Sequence, residues 1–200
     1  MAAECNIGNA FKVYQDGTAW DDLRIVPGAF DFPGTADPTL VGWQPGGSGA
    51  TFRVYEFAKN DEAFALIQLP HHRLYGSDLK PHIHWTPGAN GATENGNLVG
   101  WKVDYSMANI GSAFPASTTV DLQDACNGVN HEHNITASGT ITGTGIGISA
   151  MLMLRIYRSD TGADDTWSGS VTGSLPLLLE FDLHYQIDAP GSDAETSKDA

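Results

Sequence analysis

Strict alternation of apolar and polar residues is the feature of this sequence that most restricts its fold. In residues 100–107 every second side chain is large and apolar: Trp101, Val103, Tyr105 and Met107. Residues 177–187 repeat the pattern, with one apolar face formed by Phe181, Leu183, Tyr185 and Ile187. Successive side chains of a strand point to opposite faces, so both segments are predicted to be half-buried β-strands.

Six further segments have the composition of strands. They are rich in β-branched, aromatic or alternating residues and cover 51–57, 62–69, 79–85, 118–122, 134–142 and 149–158. We expect 134–142 to be polar and exposed, and 149–158 to be buried on both faces because it is almost entirely apolar. About eight strands with few helix candidates predict an all-β fold, an antiparallel β-sandwich of the jelly-roll type.

The sequence divides into three parts. Residues 27–50 hold ten prolines and glycines, which favours a long structured loop, and 1–19 have little core pattern. We therefore expect an N-terminal arm and extended loop over 1–50, packed on a sandwich over 51–188. Residues 189–200 are polar and acidic and are predicted to form a disordered tail.

The charge balance limits the classes of partner. Lys and Arg number 10 and Asp and Glu number 24, which gives a formal net charge of −14. Such a surface repels polyanions, so we expect neither nucleic acid nor an anionic membrane as partner. The sequence has no apolar run of about 18 residues, so we expect no transmembrane helix, and residues 1–9 lack the pattern of a secretory signal. Cys5 and Cys126 are expected to be free thiols in a reducing cytoplasm.

One histidine pair is a candidate for metal binding. His82 and His84 are two residues apart in the predicted strand 79–85, so their side chains share a face. Two such imidazoles can bind one metal, as in cupins, and Gly76 matches the opening glycine of the cupin pattern. The Glu ligand of that pattern is missing, and Glu94 is too far along the chain to replace it.

A structural role for that pair is the stronger prediction. We expect His82 and His84, together with His184, to form hydrogen bonds within the sheet or to lie at a subunit interface. We expect no metal and no other cofactor, and a cupin-like metalloenzyme is kept as an alternative. His131 and His133 form a second pair, which supplies too few ligands for a closed site unless His184 joins it.

No motif predicts catalysis. The glycines of 143–147 lack the spacing and the lysine of a phosphate loop, and no Gly-x-Ser-x-Gly segment occurs. A pair of carboxylates brought together from distant strands stays open. We therefore expect a binding protein and not an enzyme. Trp20 and Trp43 lie outside the predicted strands, and two roles are open for them: contact with another protein, or packing of the loop onto its own sandwich.

Several segments resemble virion proteins of tailed bacteriophages, in the same order from about residue 20 to residue 195. The matching segments are Trp20-Asp-Asp-Leu-Arg24, Gln68-Leu-Pro-His71, Gly76-Ser-Asp-Leu-Lys-Pro-His-Ile-His-Trp85, the segment 101–111 with Phe114-Pro115, Ser149-Ala-Met-Leu, and Leu178-Leu-Leu-Glu-Phe-Asp-Leu-His-Tyr185. The resemblance implies a jelly-roll structural protein of the particle, a homotrimeric cement (decoration) protein on the capsid shell. No catalytic residues come with it.

A cement protein would bind the major capsid protein and its own copies at the virion surface, after assembly in the host cytoplasm. Contact with several capsid subunits at once gives high avidity and holds the shell against the pressure of packed DNA. We expect the capsid contact to involve six residues of the first fifty: Trp20, Asp21, Arg24, Phe30, Phe32 and Trp43. A tail, baseplate or fibre component that binds host glycan is the alternative within the virion.

Overall fold

The fold is known from a computed structural model, which describes residues 19–137, 139–188, 190–192 and 195 and the backbone of Cys5–Asn6 and Lys12–Val13. Fourteen strands lie in this part of the chain: β1 (Cys5–Asn6), β2 (Lys12–Val13), β3 (Ala19–Ile25), β4 (Thr39–Trp43), β5 (Phe52–Glu56), β6 (Glu62–Gln68), β7 (Leu79–Thr86), β8 (Leu98–Val99), β9 (Trp101–Ala108), β10 (Thr118–Asp121), β11 (Asp124–Ala125), β12 (Asn134–Ile135), β13 (Met151–Arg158) and β14 (Leu177–Ile187). None of the helical turns in the described residues is long and apolar enough to cross a membrane.

Two antiparallel sheets pack face to face. One has four strands in the order β10-β9-β13-β6, and the other has six, in the order β12-β7-β14-β5-β4 with β3 also paired to β14. The long strand β14 organises the second sheet, because β7 pairs along one edge while β5 and then β3 pair along the other. The prediction of an all-β sandwich is confirmed, and its jelly-roll connectivity stays a prediction.

The core lies between the two sheets. Its largest side chains include Trp85, Trp101, Phe57 and Phe181, all of them fully buried. Phe57 and Trp101 meet edge to face with ring centroids 5.2 Å apart. Each such side chain contributes about 1.5–3 kcal/mol through removal of apolar surface from water. The inward sides of the alternating segments supply most of this core.

A buried ion pair lies at the edge of the core. The side chains of Arg158 and Asp165 are both 0% exposed. Arg158 Nε donates to Asp165 Oδ2 at 2.6 Å and Nη2 donates to Oδ1 at 2.9 Å, while Nη1 donates to the carbonyl of Phe57. Burial opposes ionisation of Asp165, but the hydrogen bonds from Arg158 and from the Gly100 N–H outweigh it, and the pKa of this carboxyl is lowered.

The first fifty residues contain more sheet than the sequence predicts. Ala19–Ile25 pairs with β14 and Thr39–Trp43 pairs with β5, so both are strands of the six-stranded sheet. Their apolar residues are too few for a clear pattern, and pairing with longer neighbours supplies the hydrogen bonds that define them. Most of the predicted arm and nearly all of the tail at 189–200 lie outside the described residues.

Two further expectations are wrong in detail. In β13 only one face is buried, and Met151 and Met153 are exposed, because a strand in a two-layer sandwich has one side facing solvent. Among the described residues of 134–142, only Asn134–Ile135 form a strand, although Ile141 still forms an isolated bridge with Leu79. Cys126 is a buried free thiol whose pKa burial raises, and the side chain of Cys5 lies outside the described residues.

Candidate functional site

Titratable side chains gather on the outer face of the six-stranded sheet. The strand register places Asp22 and Lys80 on either side of His184, and Arg24 and His82 on either side of Asp182. His84 follows His82 on the same face, opposite Glu180. The inward residues between them, Ile83 and Phe181, are fully buried. The alternation that builds the core thus lines up the polar residues on the other side.

Asp182 is the centre of this cluster. Its Oδ2 lies 3.2 Å from the Nε2 atoms of both His84 and His184. Although it points away from the core, Asp182 is only 4% exposed, and its Oδ1 has no hydrogen-bond partner among the described residues. A buried carboxylate oxygen without a partner is costly, so it marks a place where another group can bind.

A second carboxylate reaches the same imidazole. Asp22 Oδ1 lies 3.2 Å from His184 Nε2, the nitrogen that Asp182 also contacts. One ligand atom from each of Asp22, Asp182 and His184 lies within 4.8 Å of the others. These three residues, with His84 adjacent, are the residues of the cluster that could hold a metal ion.

Two further imidazole nitrogens of the cluster contact neighbouring groups. His82 Nδ1 lies 3.1 Å from the carbonyl oxygen of Thr136, which can only accept, so Nδ1 carries the proton in that contact. His84 Nδ1 lies 2.8 Å from His133 Nε2, and their rings stack. The rings of His82 and His184 are 4.4 Å apart between centroids. Contacts of this kind fix ring orientation and tautomer.

An open depression of about 450 Å³ adjoins the cluster. Arg24 closes one side of it through a bidentate ion pair with Glu180. That pair lowers the pKa of Glu180, chiefly through the hydrogen bonds from Arg24. The lining of the depression also includes His84, His133 and Asp182, so solvent can reach the buried carboxylate of Asp182 through it.

A second polar group lies at the end of the same strands. Tyr185 donates its hydroxyl to Asp21 Oδ2 at 3.1 Å, and His72 Nε2 lies 3.0 Å from the same oxygen. Burial opposes ionisation of Asp21, but hydrogen bonds from the Asp22 N–H, His72 and Tyr185 lower its pKa. Burial and the charge of Asp21 raise the pKa of Tyr185 above its usual range.

The six residues predicted to contact a capsid do not form one surface. Trp20, Asp21 and Arg24 are exposed on β3, close to His184 and His82, for which the sequence predicts either hydrogen bonds within the sheet or a place at a subunit interface. Phe30 packs in the core, so its side chain is not offered to a partner, and Phe32 packs against Tyr55 at a centroid distance of 4.8 Å. Phe30 and Phe32 therefore pack the first fifty residues onto the sandwich.

Trp43 lines a separate cavity of about 430 Å³. Its Nε1 donates to His131 Nδ1 at 3.0 Å, whereas His133 contacts His84, so the two histidines have different partners. Glu56 lies in the wall of this cavity. Its Oε1 accepts from the N–H groups of Gly173 and Leu175, whereas its buried Oε2 has no partner among the described residues.

The outer face of the four-stranded sheet has a different chemistry. Leu66 on β6 pairs directly with Met153 on β13, and they are 64% and 43% exposed. Met151, two residues from Met153 on the same face, is also exposed. Arg155 flanks these residues and forms ion pairs with Glu62 and Asp104. We call Leu66, Met151 and Met153 the apolar strip.

Sequence reasoning found the histidines of the cluster but missed both aspartates. Asp182 stands in the polar face of a predicted strand, and Asp22 has the sequence context of a turn residue. The only available signal was the register between β3, β7 and β14, which joins residues about 100 and 160 positions apart. Glu94 is buried and accepts hydrogen bonds from Ser168, so it is no partner of the histidines.

Comparison with known proteins gives no independent assignment. No protein-family model matches the chain, and no curated protein matches it.

Proposed function

We propose that the chain is a structural virion protein of a tailed bacteriophage, a homotrimeric cement protein that binds the outer face of the capsid shell. The apolar strip is the observation that carries the proposal. The resemblance of residues 20–195 to phage virion proteins supports it and supplies the particle as the place of action. The jelly-roll form of the sandwich belongs to the same proposal.

The apolar strip has the composition of a protein contact. Leu66, Met151 and Met153 form an exposed apolar centre, and the ion pairs of Arg155 form a polar border. Interfaces between proteins combine an apolar centre with a polar rim, and methionine is enriched in them. Contiguous exposed apolar patches on soluble proteins often mark sites of contact with another protein. Association of copies of this chain through the strip would cover it.

The charge distribution is consistent with the outer side of a shell. A formal net charge of −14 opposes contact with packed DNA and leaves the protein on the surface away from it. Trp20 and Arg24 lie on the sheet opposite the strip, so they stay accessible when copies associate through the strip. This arrangement leaves the exposed side chains of Trp20, Asp21 and Arg24 accessible to the major capsid protein.

Native mass spectrometry tests self-association. We expect a species of three times the chain mass of 21.3 kDa. Leu66→Asp and Met153→Asp place a charge in the strip and should shift this species to monomer. Val171→Asp is the matched control for Leu66→Asp, because Val171 and Leu66 are 68% and 64% exposed and Val171 lies outside the strip. A wild-type monomer, or trimers in both strip variants, would contradict the proposal.

Co-sedimentation with capsid shells tests the location. Shells from the phage or prophage that encodes the chain, stripped of this protein, should bind the wild type and restore resistance to heat or chelator. Trp20→Ala combined with Arg24→Ala should reduce the bound amount and leave the trimer intact. Full retention on purified tails with none on shells would instead assign the protein to the tail.

One observation favours the alternative within the virion, a tail, baseplate or fibre component that binds host glycan. Trp43 and the unpaired Oε2 of Glu56 line one cavity, and an aromatic face beside a carboxylate acceptor suits a sugar ring and its hydroxyl groups. Binding of host surface polysaccharide that is lost in Trp43→Ala and kept in Trp20→Ala would support this function. Absence of polysaccharide binding to the wild type would contradict the glycan-binding alternative.

A further inference from the structure

We propose that Asp22, Asp182 and His184, with His84 beside them, bind one divalent transition-metal ion of the zinc class on the outer face of the six-stranded sheet. The site joins side chains of β3, β7 and β14. It goes beyond the proposed role in the virion and does not depend on it.

The contacts around His184 favour a cation. Its Nε2 lies 3.2 Å from Asp22 Oδ1 and 3.2 Å from Asp182 Oδ2. An imidazole nitrogen carries at most one hydrogen, so it can donate a well-aligned bond to one of these oxygens. Only the contact with Asp182 has the geometry of a hydrogen bond. Asp22 therefore receives no hydrogen bond from this nitrogen, and a cation between the groups would account for its close approach.

Asp182 gives a second and independent reason. Its carboxylate is buried, and both of its hydrogen bonds go to the same oxygen, Oδ2. Oδ1 has no partner among the described residues. Two protonated imidazoles would satisfy Oδ2 alone, whereas a metal ion can take a lone pair from either oxygen. An orphaned oxygen of a buried carboxylate beside two imidazoles is the arrangement of an open metal site.

The separations fit the size of such an ion. Ligands about 2.0–2.2 Å from a zinc ion at tetrahedral angles are roughly 3.4 Å from one another. The nitrogen–oxygen separations around Asp182 and His184 are 3.2 Å, and the ligand atoms of the three residues lie within 4.8 Å.

The donor types select the class of metal. Imidazole nitrogen and carboxylate oxygen together suit zinc, cobalt or nickel, while calcium and magnesium prefer oxygen alone. Asp22 and Asp182 carry two negative charges, which balance one divalent ion. Three protein ligands leave a fourth position for His84 or for a water from the adjoining depression.

Neighbouring contacts hold the ligands in place. His84 keeps Nε2 toward Asp182 because His133 engages its Nδ1. Such outer contacts fix the ring orientation of metal-binding histidines and change affinity by about 10–100-fold when they are removed. An ion here would tie the N-terminal strand β3 to β14, so binding should stabilise the folded chain.

Calorimetric titration with zinc chloride tests the site. The protein is purified with a tag that contains no histidine, stripped with a chelator, and titrated in parallel with cobalt chloride while visible absorption is recorded. We expect one ion per chain, a cobalt spectrum of low coordination number, and a higher melting temperature with zinc. Asp182→Asn and His184→Gln should each raise the dissociation constant at least about 100-fold, since each removes a ligand.

Control variants establish whether zinc binds at this cluster or elsewhere on the chain. His131→Gln alters a histidine that contacts Trp43 and should bind zinc with unchanged affinity. Asp182→Asn keeps the shape of the side chain, and His184→Gln changes a partly exposed one, so a cooperative melting curve in either variant shows that folding is intact. Absence of saturable zinc binding to the wild type would overturn the proposal, because the cluster would then be explained by hydrogen bonds and ion pairs within the protein. Equal affinity in Asp182→Asn, His184→Gln and the wild type would overturn it as well.

Discussion

Replacement of Asp165 by Asn should destabilise the fold far more than replacement of a surface charge. The change leaves the guanidinium of Arg158, which is 0% exposed, without the carboxylate that accepts two of its hydrogen bonds. Breaking a buried ion pair by removal of one partner costs about 3–5 kcal/mol. Total stabilities of single domains are about 5–15 kcal/mol, so this is a large share.

The expected change is measurable by two methods. For a chain of this length each kcal/mol lowers the melting temperature by about 2–4 °C, which gives a decrease of about 6–20 °C. Urea titration should give the same loss of unfolding free energy at an unchanged slope. In Asp165→Asn the guanidinium keeps the carbonyl of Phe57 and one neutral amide oxygen as acceptors, but the balancing negative charge is lost, and water cannot replace it because Arg158 is 0% exposed.

A double variant tests the cause. Arg158→Met with Asp165→Leu removes both charges and should cost less than the sum of the two single changes, because no buried charge is left unpaired. Compensation will be incomplete, since Asp165 also accepts from the N–H groups of Gly100 and Trp167. A loss below about 1 kcal/mol in Asp165→Asn, or additive effects in the pair, would refute the reasoning.

Three other predictions concern acid, a buried carboxylate and a close contact. The pKa of Asp165 is lowered in the folded state, so its contribution to stability is present above the unfolded pKa of about 3.9 and is lost as the pH falls through the folded pKa. Urea titrations between pH 5 and 2 should therefore show that the unfolding free energy depends less on pH in Asp165→Asn than in the wild type. Glu94 is buried and accepts four hydrogen bonds, so Glu94→Gln, which turns an amide toward donors, should lower the unfolding free energy by about 1–3 kcal/mol. A Cβ at Gly91 would lie 2.2 Å from the carbonyl oxygen of Val129, so Gly91→Ala should cost about 1–3 kcal/mol or more by thermal melting, whereas Gly28→Ala, where no atom is near, should be close to neutral.

The strands with clear alternation could be predicted from local sequence. Leu177–Ile187 has the bounds that the pattern indicates, and Trp101–Ala108 differs by one residue at each end. In both, the periodicity continues for at least eight residues, so the buried face is determined without knowledge of the partner strands. β13 shows the limit of that method. Its sequence is almost entirely apolar, but whether its second face is buried depends on how many layers pack around the sheet, which the strand itself does not show.

The candidate metal site could not be predicted from local sequence, because it depends on which strands are neighbours. Asp22 meets His184 only because β3 pairs with β14 in one register, and a shift of one residue would turn Asp22 to the other face. β3 itself lies in a stretch whose composition resembles a loop. The position of Phe30 in the core has the same origin, since its partners come from distant elements of the chain.

The two outer faces of the sandwich have properties that suit different roles. The four-stranded sheet presents the apolar strip, whose burial would be favourable without any ion or change of pH. The six-stranded sheet presents Asp22, Asp182 and the histidines, whose interactions depend on protons and metal ions. Because the core separates these faces, an interface on one leaves the groups on the other accessible. Self-association and metal binding can therefore occur together, and a metal ion on β3 and β14 would stiffen the sheet that carries Trp20 and Arg24.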